Sequence, residues 1–317
     1  MSVNGNRQGL VFLFPGQGSQ AVGMFDGFQG NSAVDRALSE ASQSIGLDIA
    51  ALVAKGPAET LNLTVNTQPV MLAAAVSFFR AYRAAGGPMP SAVAGHSLGE
   101  YSALVAAGAL SLADATSLVR FRAQAMQEAV PVGQGAMAAV LGLAAQKVQE
   151  VCQGLTTAKA VVEAVNFNAP DQTVIAGHLA AVEGACAALK QAGAKRALML
   201  PVSAPFHSSL LAPAATALAE RLAQVSFAPP EVPVWHNLSA RPSGDAQAIR
   251  EALAAQAKSP VLWTQTLEAL SAEGFTTFVE CGPGKVLAGL VKRILPQAQV
   301  FNIFDEASLA ATLGALQ

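Results

Sequence analysis

Val-Ala-Gly-His-Ser-Leu-Gly-Glu-Tyr-Ser-Ala-Leu, residues 93–104, sets a Gly-x-Ser-x-Gly pentad (Gly95, Ser97, Gly99) between a short apolar run and an Ala/Leu-rich stretch. Strand before and helix after is the sequence form of a nucleophile elbow. In such a turn the serine takes a strained backbone conformation, and glycine on either side lets neighbouring chain approach closely. Ser97 is thereby lifted to a helix N-terminus, where the Leu98 N–H and the positive end of the helix dipole can stabilise an oxyanion. The same pentad also occurs in ordinary turns, where the serine merely caps a buried helix.

Outward from the elbow, strands and helices alternate. Leu10–Phe14 is a continuous apolar run ended by Pro-Gly-Gln-Gly, which reads as a buried strand feeding a glycine-rich loop. Helices are predicted over 33–44 and 67–84, then a strand over 91–94 and helices over 97–107 and 112–128. This rhythm predicts an α/β core with a mostly parallel sheet. Between Gly133 and Ser203 it changes to β-α-β-β-α-β, with strands at 136–143, 161–167, 172–176 and 197–202 and helices at 145–152 and 180–191. That is the split βαβ, ferredoxin-like order. The expected organisation is a core domain of residues 1–132 and 204–317, with a ferredoxin-like subdomain, 133–203, inserted in it. Helices over 212–223, 245–257 and 286–294 and strands over 232–235 and 277–280 complete the reading, with no internal repeat.

Composition narrows the function classes. With 317 residues, 52% hydrophobic and 13% charged, the chain can bury a large core. The mean hydropathy of +0.39 comes largely from alanine. No stretch approaches the ~20 uninterrupted apolar residues of a membrane span. The polar start, with one arginine ahead of Leu10, has no apolar region long enough for a secretory signal. A soluble, cytoplasmic protein without membrane association is expected. The net charge of −2 argues against nucleic acid as a partner, because phosphate neutralisation needs a basic excess. Cys152, Cys186 and Cys281 cannot all pair and lack metal-ligand spacing, so reduced, mostly buried thiols and no metal site are expected.

A serine nucleophile needs a base, and the chain has four histidines. His96 lies inside the elbow, its side chain directed away from that of Ser97. His178 reads as a surface residue, and nothing in its surroundings recommends His236. His207 stands in Pro-Phe-His-Ser-Ser, a loop where the chain re-enters the core, and loops on rigid scaffolds concentrate catalytic groups. A hydrolase triad would require the order Ser, Asp or Glu, His, but the acids between Ser97 and His207 have little supporting context. A Ser–His dyad with the imidazole held by a carbonyl fits better.

Gly16-Gln-Gly-Ser-Gln-Ala21 nominally matches a dinucleotide fingerprint, but no well-placed acid follows it and the elbow would go unexplained. The loop can instead supply a second oxyanion donor, the N–H of Gln17. Gly282-Pro-Gly-Lys285 lacks the spacing and the Ser/Thr of a P-loop. Arg122, within the largely apolar Leu118–Met126 stretch, is either a surface arginine or a guanidinium aimed into the cleft to bind a carboxylate bidentately.

Phe-Pro-Gly-Gln-Gly-Ser-Gln (14–20), Thr-Gln-Pro (67–69), Gly-His-Ser-Leu-Gly-Glu-Tyr (95–101), Arg122, Gly-Ala-Met-Ala-Ala-Val (135–140), Val-Asn-Phe-Asn-Ala-Pro (165–170), Pro-Phe-His (205–207) and Gly-Pro-Gly-Lys-Val-Leu (282–287) together closely resemble the malonyl-CoA:acyl carrier protein transacylases of bacterial type II fatty-acid synthesis. The motifs recur in the expected order over nearly the whole chain. The resemblance implies an α/β-hydrolase-like core with a ferredoxin-like insertion. It makes Ser97 the acylated nucleophile, His207 its base, and Arg122 the partner of the malonyl carboxylate. It also makes Gln17 and Leu98 the oxyanion donors and gives the main-chain carbonyl of Gln256 the task of orienting His207. Phe206 resembles the residue of malonyl-selective rather than methylmalonyl-selective relatives. The implied substrates are malonyl-CoA and phosphopantetheinylated acyl carrier protein, with no metal or redox cofactor, and a monomer is expected. The basic pairs Lys195-Arg196 and Lys292-Arg293 are either solvated element ends or contacts for an acidic carrier. Other readings are a trans-acting polyketide acyltransferase, a malonate-decarboxylase subunit, a serine thioesterase or esterase, and a non-catalytic carrier-docking subunit.

Overall fold

In the computed structural model, which describes residues 9–202 and 204–316, the run Leu10–Phe14 is strand β1 and all five of its residues are buried. A strand covered on both faces by helices has no solvent side, so its sequence does not alternate. Helices α1 (Ser32–Ile45), α2 (Ile49–Lys55), α3 (Ala58–Leu61) and α4 (Thr64–Ala84) follow. Strand β2 (Ala92–Gly95) then leads through the elbow into α5 (Gly99–Ala106) and α6 (Leu112–Glu128). Next come β3 (Gly135–Leu141), α7 (Ala145–Leu155), β4 (Val162–Ala169), β5 (Gln172–His178), α8 (Leu179–Gln191) and β6 (Arg196–Met199). The chain continues through α9 (Ala212–Leu222), β7 (Val234–His236), β8 (Arg241–Ser243), α10 (Ala246–Gln256), α11 (Trp263–Ala272), β9 (Thr277–Cys281), α12 (Val286–Ile294), β10 (Gln299–Ile303) and α13 (Glu306–Leu316).

The larger sheet has the order β10-β9-β1-β2-β7-β8. Every pairing in it is parallel except that of β7 with β8. The smaller sheet has the order β4-β5-β3-β6 with antiparallel pairings, which is the ferredoxin-like arrangement. Side chains alternate across it. Ala138, Val140, Val162 and Ile175 face a core shared with α7 and α8, whereas Met137, Val165, Val174 and Ala176 join the main core. The strands β3, β4 and β5 are therefore covered on both faces, while the edge strand β6 leaves Leu198 and Met199 exposed. Helix α4, buried along most of its length, packs against α1 and α6 beneath the large sheet.

The sequence reading leaves α2, α3, α11, α13, β8 and β10 unassigned. The two short helices span seven and four residues, too few to show a full helical period. β10 is an edge strand with a mixed burial pattern, and β8, Arg-Pro-Ser, has no apolar residue to signal it. β6 stops at Met199 rather than 202, although Leu200 still donates its N–H to Met137 O at 2.9 Å. The polar start read for a secretory signal and Ser203 at the predicted end of the insertion lie outside the described residues. Among the described residues no helix is long and apolar enough to cross a membrane. The three cysteines are free and buried.

Candidate active site

The elbow turns as tightly as two glycines allow. A Cβ on Gly95 would meet the Gly99 carbonyl at 1.9 Å, and a Cβ on Gly99 would meet Phe14 O at 2.0 Å. Between them Ser97 adopts φ 51, left-handed backbone that non-glycine residues rarely take. His96 N donates to Phe14 O at 3.0 Å, fastening the turn to the central strand. Gly16 packs against His96 O, which brings the loop after β1 alongside the elbow. Among the described residues neither the Gln17 nor the Leu98 N–H donates to a backbone carbonyl.

Ser97 Oγ lies 2.7 Å from His207 Nε2. His207 is also held at positive φ, 65°. Its Nδ1 lies 2.8 Å from Gln256 O. A carbonyl only accepts, so Nδ1 carries the proton and Nε2 presents its lone pair to the serine hydroxyl. Burial, reinforced by the Arg122 charge, pushes the His207 pKa down to about 3. The imidazole is a neutral acceptor at every physiological pH, ready to take the serine proton.

Arg122 projects from α6 into the same space and is only 2% exposed. Its guanidinium donates to Gln68 Oε1 at 2.9 Å, Gln256 Oε1 at 2.8 Å and Ser97 Oγ at 3.1 Å, and it lies 5.5 Å from the centre of the Tyr101 ring. Every one of these hydrogen-bond acceptors is neutral. Among the described residues no ion pair involves Arg122, and its buried Nε has no partner. Glu100 lies one side chain away, across Gln256, and favours the charged guanidinium without touching it. Burying a cation with no carboxylate in contact is costly, so a guanidinium held this way beside a nucleophile is suited to an anionic acyl group.

Beneath the elbow lies a polar network that the sequence reading misses. His236, passed over there, is buried against Glu100, with Nδ1 to Oε1 at 2.7 Å. Burial alone would lower its pKa, but the hydrogen bond and charge of Glu100 outweigh this and raise it. The other Glu100 oxygen accepts from Asn237 N and from Gln256 Nε2, each at 2.9 Å. Gln256 Nε2 donates also to Ser97 O at 3.0 Å, so Gln256 touches serine, arginine and histidine together. One signal was available. Glu100 is the sole charged residue in the Gly99–Ala106 helix, and such a residue in a buried helix must find buried partners.

The remaining histidines serve elsewhere. His96 Nε2 lies 2.8 Å from Asn168 Oδ1 at the end of β4, and burial lowers its pKa. His178 is half-buried in the small sheet, where its Nδ1 accepts from Val161 N at 3.0 Å. Of the basic pairs, Arg293 is engaged with Asp171 and with Gln172, tying α12 to the turn between β4 and β5. Lys195 packs against Gly142.

A buried serine–histidine dyad beside an arginine with no carboxylate in contact is equipped for transfer of an anionic acyl group. The profile of the acyl transferase domain matches residues 11–317. The chain belongs to that family. The malonyl CoA-acyl carrier protein transacylase of Salmonella typhimurium is 49% identical over 305 residues, which are 96% of this chain and 98% of that protein. The crystal structure of an acyl-carrier-protein S-malonyltransferase from Burkholderia pseudomallei superposes with a TM-score of 0.94 at 56% identity, covering 96% of this chain and 99% of that one. A malonyl-transacylase solved in complex with a type II PKS acyl-carrier protein superposes with a TM-score of 0.94 at 45% identity, with coverage of 96% and 99%. The acyl transferase fold is thus shared along nearly the full length of these enzymes, and this chain is an acyltransferase.

Proposed function

We propose that this acyltransferase moves the malonyl group of malonyl-CoA to the phosphopantetheine thiol of acyl carrier protein through a malonyl ester of Ser97. The observation that carries the reading is Arg122, buried without an acidic partner and 3.1 Å from the nucleophile. A planar guanidinium there binds the free carboxylate of a malonyl group bidentately, while the thioester carbonyl faces the N–H groups of Gln17 and Leu98.

His207 Nε2 takes the proton as Ser97 Oγ attacks the thioester carbon. Negative charge passes to the carbonyl oxygen and is held by the two N–H groups, each worth about 3–4 kcal/mol. The C–S bond breaks, and the imidazolium returns its proton to the departing CoA sulfur. The carrier thiol then gives its proton to His207, attacks the serine ester, and releases Ser97 with its hydroxyl restored. The Gln256 carbonyl keeps the imidazole in the required tautomer throughout. Thioester–ester exchange consumes no electrons, so the chemistry calls for no redox cofactor, and in this reading the N–H groups rather than a metal hold the oxyanion. The reading has the protein acting as a monomer in the cytoplasm.

Incubation with malonyl-CoA is expected to add one malonyl group to the intact mass, and holo acyl carrier protein is expected to discharge it. Ser97→Ala should abolish the adduct. Hydrolysis without transfer would point to a thioesterase, and absence of any adduct to a docking subunit. A second carrier class is favoured by the complex of the 45%-identical malonyl-transacylase with a type II PKS carrier. Rates of discharge onto fatty-acid and polyketide carriers, compared in one assay, decide between them.

A further inference from the structure

Ser97 is held in left-handed backbone by contacts on several sides, and the one that grips its own amide comes from 140 residues away. Asn237, immediately after β7, has no exposed surface. Its Oδ1 accepts from Ser97 N at 2.6 Å and its Nδ2 donates to Gly95 O at 2.7 Å. A single carboxamide thus spans the elbow from the end of the strand to the nucleophile. A non-glycine residue at positive φ persists only where its surroundings over-determine it. An amide at a helix start, moreover, has no intrahelical carbonyl to bond. Asn237 is anchored in turn. Its N–H donates to Glu100 Oε2 at 2.9 Å, and the opposite oxygen of Glu100 is fixed by His236.

We propose that Asn237 is a positioning residue for the nucleophile. Its carboxamide locks Ser97 in the left-handed conformation that keeps Oγ on His207 and leaves the next amide, that of Leu98, to face the cleft. Without it the Ser97 N–H would be left without its acceptor, and the turn would relax toward ordinary helical backbone, carrying Oγ away from the imidazole. The inference rests on Ser97 being the acylated residue.

The test is the rate constant of acylation by malonyl-CoA in the full chain, followed by rapid quenching and intact mass. The amplitude counts competent sites, so loss of folded protein lowers the amplitude, whereas mispositioning lowers the rate constant. Asn237→Ala is expected to acylate about 10- to 100-fold more slowly per competent site. Asn237→Asp separates geometry from bulk. As a carboxylate it still accepts from Ser97 N, but it has no hydrogen for Gly95 O and sits beside Glu100. When protonated, its C=O accepts and its O–H donates, restoring both bonds. Its rate constant should therefore climb toward that of the unsubstituted protein as pH falls from 8 to 5.5, a climb that the unsubstituted protein and Asn237→Ala do not share. The titratable and charged groups around the position are Glu100 of α5, His236 of β7 and, through Ser97, His207 and Arg122. They are common to all three proteins, so the comparison removes their own effects. A rate constant in Asn237→Ala equal to that of the unsubstituted protein, or a slow rate constant in Asn237→Asp that does not climb at low pH, overturns the proposal. A rate constant in Asn237→Asp equal to that of the unsubstituted protein throughout the range means that the buried carboxyl stays protonated and keeps both bonds, as the proposal requires. Failure of the unsubstituted protein to acylate at Ser97 would overturn the proposed function instead.

Discussion

Arg122 and His207 shape one another because both are buried and both meet at Ser97 Oγ. The arginine's unpaired charge makes selectivity a property of one side chain. With malonyl-CoA the carboxylate supplies the missing partner, whereas an acetyl group leaves the cation desolvated and uncompensated. Arg122→Ala is expected to lower malonyl transfer by roughly 100-fold or more and to raise acetyl transfer relative to it. A competition assay with both thioesters checks this, and an unchanged ratio would remove Arg122 from selectivity. The histidine's depressed pKa has its own consequence. The working form is the neutral imidazole and the free protein titrates at about 3, so kcat/KM for acylation should change less than about twofold between pH 5 and 7. An acid limb near 6.5 would show that the group is an ordinary imidazole. The linked effect on stability has a definite sign. The unfolded histidine takes up a proton near pH 6.5 and the folded one does not, so this contribution is present above that pH and is lost as pH falls toward 3.

Elements were legible where periodicity or a glycine signal was long enough to read. Helices α6 and α12 have the bounds that the sequence predicts, because each has a sharp start, Ser111 capping one and the Gly-Pro-Gly turn preceding the other. Glu100, Asn237 and His236 were not legible as a site, because they meet only when β7 is laid beside β2. The strand that leads into the Gly-Pro-Gly turn holds another buried acid. Glu280, at the end of β9, accepts from Ala288 N at 2.7 Å and from Asn302 Nδ2 at 3.3 Å, while its Oε1 is buried without a partner. Burial outweighs these hydrogen bonds and raises its pKa to about 7. The folded state therefore binds this proton more tightly than the unfolded one. The associated stability is present below pH 4.5 and is lost as pH rises through about 7. Glu280→Gln cannot ionise, so its stability relative to the unsubstituted protein should rise by about 3 kcal/mol between pH 4.5 and 8. Urea midpoints measured across that range check it. A difference that stays flat with pH would mean that the carboxyl titrates normally.

At the scale of the whole molecule, one face of the small sheet and one face of the large sheet share a hydrophobic interior. Met137 and Val174 of the small sheet lie in the same buried cluster as Phe12 of β1 and Phe78 of α4. Backbone bonds reinforce the junction, with Val261 N donating to Val165 O at 2.8 Å and Phe167 N to Val261 O at 3.0 Å just ahead of α11. His96 reaching Asn168 closes it at the active-site end. The sequence shows the change of rhythm at Gly133 but not this seam, since local pattern carries no information about which face of the small sheet meets the main core. The Arg293–Asp171 pair adds little, because both side chains are about half exposed. The packed face dominates, and a sheet whose Met137, Val165, Val174 and Ala176 lie in the main core cannot unfold alone without stripping that core. Met137→Ala is therefore expected to cost roughly 2–5 kcal/mol and to lower one transition common to the molecule. Trp235 of β7 lies in the buried cluster on the other face of the large sheet, whereas Trp263 opens α11 at the seam, so in a Trp263→Phe background the remaining tryptophan fluorescence reports on a region remote from the substitution. Fluorescence and far-UV circular dichroism should move together to the same lower denaturant midpoint. If circular dichroism instead splits off an early phase while the tryptophan midpoint stays in place, the small sheet unfolds by itself, and the seam at Val261 and Asn168 does not couple it to the elbow.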